Sequence, residues 1–105
     1  MSPSRPLFMI GEIVNHVKFG YRGVVVDVDP VFGLTEEWYA QVARSRPPKD
    51  KPWYHLLVDG AQHMTYVAER HLQPHPDKTQ IDHPDLGRFF GRYDGHRYIL
   101  RETAH

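Results

Sequence analysis

The stretch Lys18-Phe19-Gly20-Tyr21-Arg22-Gly23-Val24-Val25-Val26-Asp27-Val28-Asp29-Pro30 constrains the fold of this chain more than any other. Gly20 and Gly23 flank Tyr21 and Arg22, and a β-branched run follows at once. Glycine takes positive φ at the least steric cost, so the pair predicts a tight turn or bulge entering a strand. Successive strand residues point to opposite faces. Val24, Val26 and Val28 are therefore expected on one wholly apolar face, with Val25, Asp27 and Asp29 on the other. Two carboxylates on the second face suit a half-buried antiparallel strand. Pro30 has no N–H to give a ladder and ends the strand.

The rest of the chain arranges itself around this strand. Phe8 to Val17 reads as a first strand whose buried face the alternation leaves open, and the glycine turn makes a hairpin of the two. Residues 31 to 52 are an insertion. In it Thr35 is a candidate N-cap for Glu36 and Glu37, and Leu34, Trp38 and Val42 recur at four-residue spacing. The spacing predicts a short amphipathic helix to about Ala43, ended before Pro47-Pro48, and then a stiff basic loop. Trp53 to Val58 is apolar on both faces, as in a central strand or a closed barrel. Asp59-Gly60 predicts a hairpin turn to a return strand, His63 to Val67. Ala68 to Leu72 has room for one helical turn before Pro74 and Pro76.

The expected fold class is mainly β, a small antiparallel SH3-like barrel with a short helical insertion and a C-terminal extension. We place the barrel at residues 8–76 and a linker with an aromatic and basic extension at 77–105. Between Asp77 and Pro84 the only aliphatic residue is Ile81, which reads as linker. Phe89, Phe90, Tyr93 and Tyr98 follow, with Asp94-Gly95 as a second hairpin turn. Packing on its own barrel is the default for these aromatics, and docking a partner is the alternative. Residues 1 to 7, polar with two prolines, read as a mobile lead-in.

Composition narrows the function classes. The absence of cysteine from all 105 residues excludes disulfides, thiolate metal sites and a thiol nucleophile. No apolar run approaches the roughly 20 residues that span a bilayer, and the start lacks the apolar segment of a secretory signal. A cytoplasmic protein without membrane contact is expected. Thirteen basic residues balance thirteen acidic ones, which argues against an indiscriminate nucleic-acid binder. The charge is uneven, however. Arg44, Arg46, Lys49 and Lys51 face only Asp50 in the insertion, and Arg88, Arg92, Arg97 and Arg101 face only Asp94 near the end.

Each motif has a plain reading beside its functional one. The glycine turn with Arg22 at its tip could cradle an anion, but no Lys or Ser/Thr follows in P-loop spacing, so a structural turn is commoner. Asp27 and Asp29 share a face as paired carboxylates would for metal or acid–base work, although solvated strand carboxylates are the usual case. His55 and His63 flank a turn and could face each other, while Pro74 separates His71 from His75. None of these spacings is that of a zinc site, and neither metal nor cofactor is expected. Arg44, Arg46, Lys49 and Lys51, with Trp38 or Trp53 nearby for stacking, could track phosphates; the plain alternative is a solvated loop. Reading a methyl group would need an apolar contact in the major groove, and no residue stands out for it.

Several segments together resemble a known family. They are Gly11, Val14 and His16, then Gly20 to Pro30, then Trp53-Tyr54-His55-Leu56-Leu57-Val58, then Thr65-Tyr66-Val67-Ala68-Glu69 with Leu72. In this order, over roughly residues 8 to 75, they resemble the HspQ family, also called YccV-like or hemimethylated-DNA-binding. The resemblance implies a non-enzymatic small β-barrel of the heat-shock type that binds hemimethylated DNA near replication origins. It also implies a link to turnover of the replication initiator and to ATP-dependent proteolysis, and self-association, including as trimers. On this reading Gly20, Gly23, Asp29, Pro30, Trp53, Tyr54 and Tyr66 are structural motif residues, and Arg22, Arg44, Arg46, Lys49 and Lys51 are candidate DNA contacts. The implied partners are a hemimethylated duplex, a cytosolic ATP-dependent protease or its clients, and further copies of the chain. The location would be cytoplasmic or at the nucleoid. The alternative is a protein-only specificity factor for such a protease, without physiological DNA binding.

Overall fold

The structure is a computed structural model and describes residues 5–101. Five strands form one antiparallel sheet: β1 (Ile13–His16), β2 (Arg22–Asp29), β3 (Trp53–Val58), β4 (Met64–Ala68) and β5 (Leu72–Pro74). Their order is β4-β3-β2-β1-β5, with a 3-10 turn at Glu69–His71 carrying the chain from β4 to β5. The mainly β expectation holds. No ladder joins β4 to β5 among the described residues, so hydrogen bonds do not close the sheet into a barrel. A second, two-stranded sheet, β6 (Phe90–Tyr93) and β7 (Tyr98–Leu100), follows a single helical turn, α2 (Leu86–Phe89).

Strand β2 departs from simple alternation at its centre. Val24 pairs with Leu57 and Val25 with Leu56, but the next partner, His55, faces Asp27, which leaves Val26 as an extra residue. A bulge of this kind reverses which side later residues face. Val24 and Val26 accordingly pack with Ile13, Leu57, Ile81, Phe90 and Tyr98, whereas Val25 and Val28 pack with Phe8, Val14, Tyr54, Leu56 and Leu72. The expected grouping of Val28 with Val24 and Val26 is thus corrected, and β2 is buried on both sides rather than one.

The two glycines of the motif do different work. Gly20 takes φ 75° and closes the β1–β2 turn through its N–H to the His16 carbonyl at 2.7 Å. Gly23 is not a turn residue. It lies inside β2, where a Cβ would come within 2.9 Å of the Leu57 carbonyl oxygen on β3.

The chain after Pro76 supplies much of the second core. Ile81 is 4% exposed, and the Tyr98 hydroxyl accepts the Ile81 N–H at 2.8 Å. Phe90 and Tyr98 bury against β2 as the default reading of the aromatics anticipated, each worth roughly 1.5–3 kcal/mol if fully buried. Gly11 makes the junction possible. Its N–H bonds the Val25 carbonyl at 2.7 Å, and its own carbonyl accepts the Tyr98 N–H at 2.9 Å. At the other end, Leu7 is held by its N–H to the Tyr54 hydroxyl and the Glu69 carboxylate, at 3.1 and 3.0 Å. The lead-in expected to be mobile to residue 7 is therefore anchored there; residues 1–4 lie outside the described residues. No helix among the described residues is long and apolar enough to cross a membrane.

The insertion forms α1 (Glu36–Val42), with the Thr35 hydroxyl accepting the Trp38 N–H at 3.1 Å as the N-cap pattern predicts. Phe32, Trp38 and Tyr39 seat it on Trp53, Tyr66 and Ala68. This aromatic seat fixes one wall of the site.

Candidate nucleic-acid interface

A groove of about 540 Å³ lies between α1, strand β4 and the β1–β2 turn. Trp38 comes from α1, Tyr66 and Met64 from β4, and Phe19 and Tyr21 from the turn. The Tyr66 wall is held from behind. Its ring stacks on Trp53 with centroids 5.2 Å apart, its hydroxyl donates to Asp29 Oδ2 at 2.6 Å, and it accepts the Gly33 N–H at 2.9 Å. Burial, with the Asp29 hydrogen bond as second cause, raises the Tyr66 pKa well above the ordinary phenol value, so the hydroxyl stays a donor. Asp29, Trp53 and Tyr66 thus form one supporting assembly. Tyr54 is separate: it is buried in the first core, where its hydroxyl accepts the Leu7 and Phe8 N–H groups and donates to Glu69.

The other end of the groove is cationic. His16 Nδ1 accepts the Lys18 and Phe19 N–H groups at 3.2 and 3.1 Å, and the Phe19 ring stacks on the imidazole at 4.6 Å. His71 lies beside it, with ring centroids 5.6 Å apart. Burial lowers the His16 pKa first, followed by the neighbouring His71 and Lys18 charges. Burial also leads the lowering at His71, helped by Arg70 and Lys18. Both imidazoles are therefore neutral at pH 7, and the standing charge is carried by Lys18, Arg70 and Arg44. Arg44 lines the groove beside Ser45, whose carbonyl accepts from Arg70 Nη2 at 2.7 Å.

The candidate contacts read from the sequence fall into different places. Arg22 does not sit at an exposed tip. Its side chain is 12% exposed and its guanidinium bonds Asp59 Oδ2, the carbonyls of Asp77, Thr79 and Gln80, and the Thr79 hydroxyl. Lys49 lies 2.6 Å from Glu36 and 4.3 Å from the centre of the Tyr39 ring, so much of its charge is already answered. Arg46 takes φ 51°, folds over Tyr39 and bonds the Tyr39 carbonyl at 3.2 Å. Arg44 and Lys51 are exposed. Lys18, Phe19 and Arg70 escaped sequence reasoning, and His71 was weighed there only as a metal ligand, because the four come together only where the 3-10 turn folds beside the β1–β2 turn. The signal within reach was the Lys18-Phe19 pair directly before Gly20.

Asp27, Asp29 and His55 bring one ligand atom each within 4.8 Å of one another, the described group best placed to hold a cation. Asp29 Oδ2 is already engaged by Tyr66, and His55 Nε2 lies 3.3 Å from it. His55 and His63 do not face each other. His55 packs on Tyr66, and the His63 carbonyl accepts from the His83 ring at 3.0 Å.

This geometry suits recognition of a polyanion carrying flat apolar groups: cations at one end, aromatic walls along the rest. A family model described as hemimethylated DNA-binding protein YccV like matches residues 6–97, so the match runs through the sheet, the groove and most of the segment after Pro76. The chain belongs to the YccV-like family of hemimethylated DNA-binding proteins.

Proposed function

We propose that this chain binds hemimethylated DNA through the groove-bearing face, acting by binding rather than catalysis. The observation that carries this reading is an aromatic groove lined by Lys18 and Arg44, with Arg70 held next to it by its bond to the Ser45 carbonyl and by its closeness to His71. Cationic side chains position a protein on the phosphate backbone, and contacts with the bases then supply specificity. The balanced composition leaves little sequence-independent attraction, so affinity rests on this local arrangement. Met64, Phe19 and Trp38 offer apolar surface for a methyl group. Burying one such group is worth about 0.8 kcal/mol, roughly fourfold in affinity. Fluorescence anisotropy on one duplex prepared unmethylated, hemimethylated and fully methylated tests the reading. The hemimethylated form should bind tightest; equal affinity for all three would overturn it.

A protein-directed role draws on a different observation. No described backbone hydrogen bond reaches the outer edge of β4, and such an edge can accept an extended peptide or another copy of the chain. A specificity factor for an ATP-dependent protease would change client half-life in a purified degradation assay, and unchanged half-lives would remove that role. Self-association through the same edge would appear in sedimentation.

A further inference from the structure

We infer that the groove receives a single nucleobase turned out of the duplex, with its flanking phosphate at Lys18, Arg44 and Arg70; the inference rests on the DNA-binding reading above. The volume of about 540 Å³ lies in the range of small-molecule sites. In paired DNA the flat faces of the bases are covered by their stacked neighbours, so aromatic walls set in a slot find no counterpart there. An extruded base offers both faces, and stacking on aromatic side chains tolerates any base.

Three features match such an occupant. Phe19 lines the groove and is 70% exposed although its ring stacks on His16, with the Lys18 ammonium 5.8 Å from the ring centre, so an aromatic surface and a cation meet at one point of the wall. Polar groups able to meet a base edge line the walls: the Tyr21 and Thr65 hydroxyls, 2.8 Å apart, and His55. Finally, no carboxylate lines the groove among the described residues, while Lys18 and Arg44 do, so its charge suits an anionic ligand. A methyl group on an enclosed base would be buried on all sides rather than brushed along an edge, giving sharper discrimination than a surface contact.

The test uses the full chain and three hairpin duplexes of one sequence: fully paired, with a single unpaired nucleotide, and with an abasic residue at that unpaired position. Extrusion is least costly for a base already unpaired, so the bulged duplex should bind about tenfold or more tightly than the paired one. The abasic duplex should lose that gain. Phe19→Ala should reduce the ratio of bulged-duplex to paired-duplex affinity severalfold. The Phe19 N–H to His16 Nδ1 bond is kept by any side chain at that position, so the turn survives. Met64→Ala, on the opposite wall, gives the second variant. Equal binding of bulged and abasic duplexes would overturn the slot while leaving duplex recognition intact. Failure to bind any duplex would overturn both. Sedimentation altered by Phe19→Ala with the bulge preference intact would make the groove a contact between copies, and would also overturn the slot.

Discussion

Replacing Arg22 separates a structural arginine from a DNA contact. Its guanidinium ties the start of β2 to Asp59 in the β3–β4 turn and to three carbonyls between Asp77 and Gln80, and so pins the segment that delivers Ile81 to the second core. Hydrogen bonds to charged groups are worth about 1.5–3 kcal/mol each in favourable settings. Several of these partners are exposed and would rehydrate on truncation, and bonds in one network do not add. Arg22→Ala should therefore cost about 2–4 kcal/mol in total, with roughly 4–8 °C of melting temperature per kcal/mol for a domain of this size. Arg22→Lys should recover little, because one ammonium cannot reproduce a planar fork that reaches several acceptors at once. Urea and thermal denaturation of both variants supply the measurement. A loss of less than 3 °C in Arg22→Ala would refute the structural role. A flatter salt dependence of DNA affinity in folded Arg22→Lys would return Arg22 to the interface.

Two further predictions concern the scaffold. Gly11 has φ 93° and a Cβ there would lie 2.0 Å from the Tyr98 carbonyl oxygen, so Gly11→Ala must shift β7 or the β1 entry. Positive φ and overpacking together predict a loss of about 2–4 kcal/mol in denaturant melts, and a loss under 1 kcal/mol would contradict that contact. Stability should also fall on acidification. The His16 and His71 pKa values are lowered in the folded chain, so below about pH 6.5 the unfolded chain binds more protons and each step down in pH favours unfolding, until the folded-state pKa values are passed. Protonation of His16 additionally removes the acceptor for the Lys18 and Phe19 N–H groups, at about 0.5–1.5 kcal/mol per bond. Melting temperatures followed from pH 7.5 to 5 should decline, and His16→Asn should flatten the slope; an unchanged slope in that variant would refute the assignment.

The elements were legible wherever local chemistry decides them. Thr35 with two following glutamates gave the N-cap, Asp59-Gly60 the hairpin, and the apolar run from Trp53 a strand buried on both faces. The bulge at Val26 was not legible, because its cause is the register against β3, a long-range match that no window of β2 contains. Gly23 misled for the same reason: its constraint is the Leu57 carbonyl, 34 positions on, rather than its own dihedral angles. The site was half legible. The basic insertion drew attention by charge density, yet Glu36 and Tyr39 answer part of that charge. Lys18 and Arg70 look ordinary in sequence and acquire meaning only where the 3-10 turn meets the β1–β2 turn.

The most direct test of DNA recognition at this face is the salt dependence of affinity. Wild-type chain and the triple variant Lys18→Ala, Arg44→Ala, Arg70→Ala should be titrated with the same hemimethylated duplex at a series of salt concentrations, after circular dichroism shows both folded. Each phosphate contact contributes about 0.9 to the slope of log affinity against log salt. If the three cations meet the backbone, the slope should become shallower by about 2–3 in the variant, and the affinity should fall most at low salt. An unchanged slope and affinity would contradict the placement of DNA on this groove.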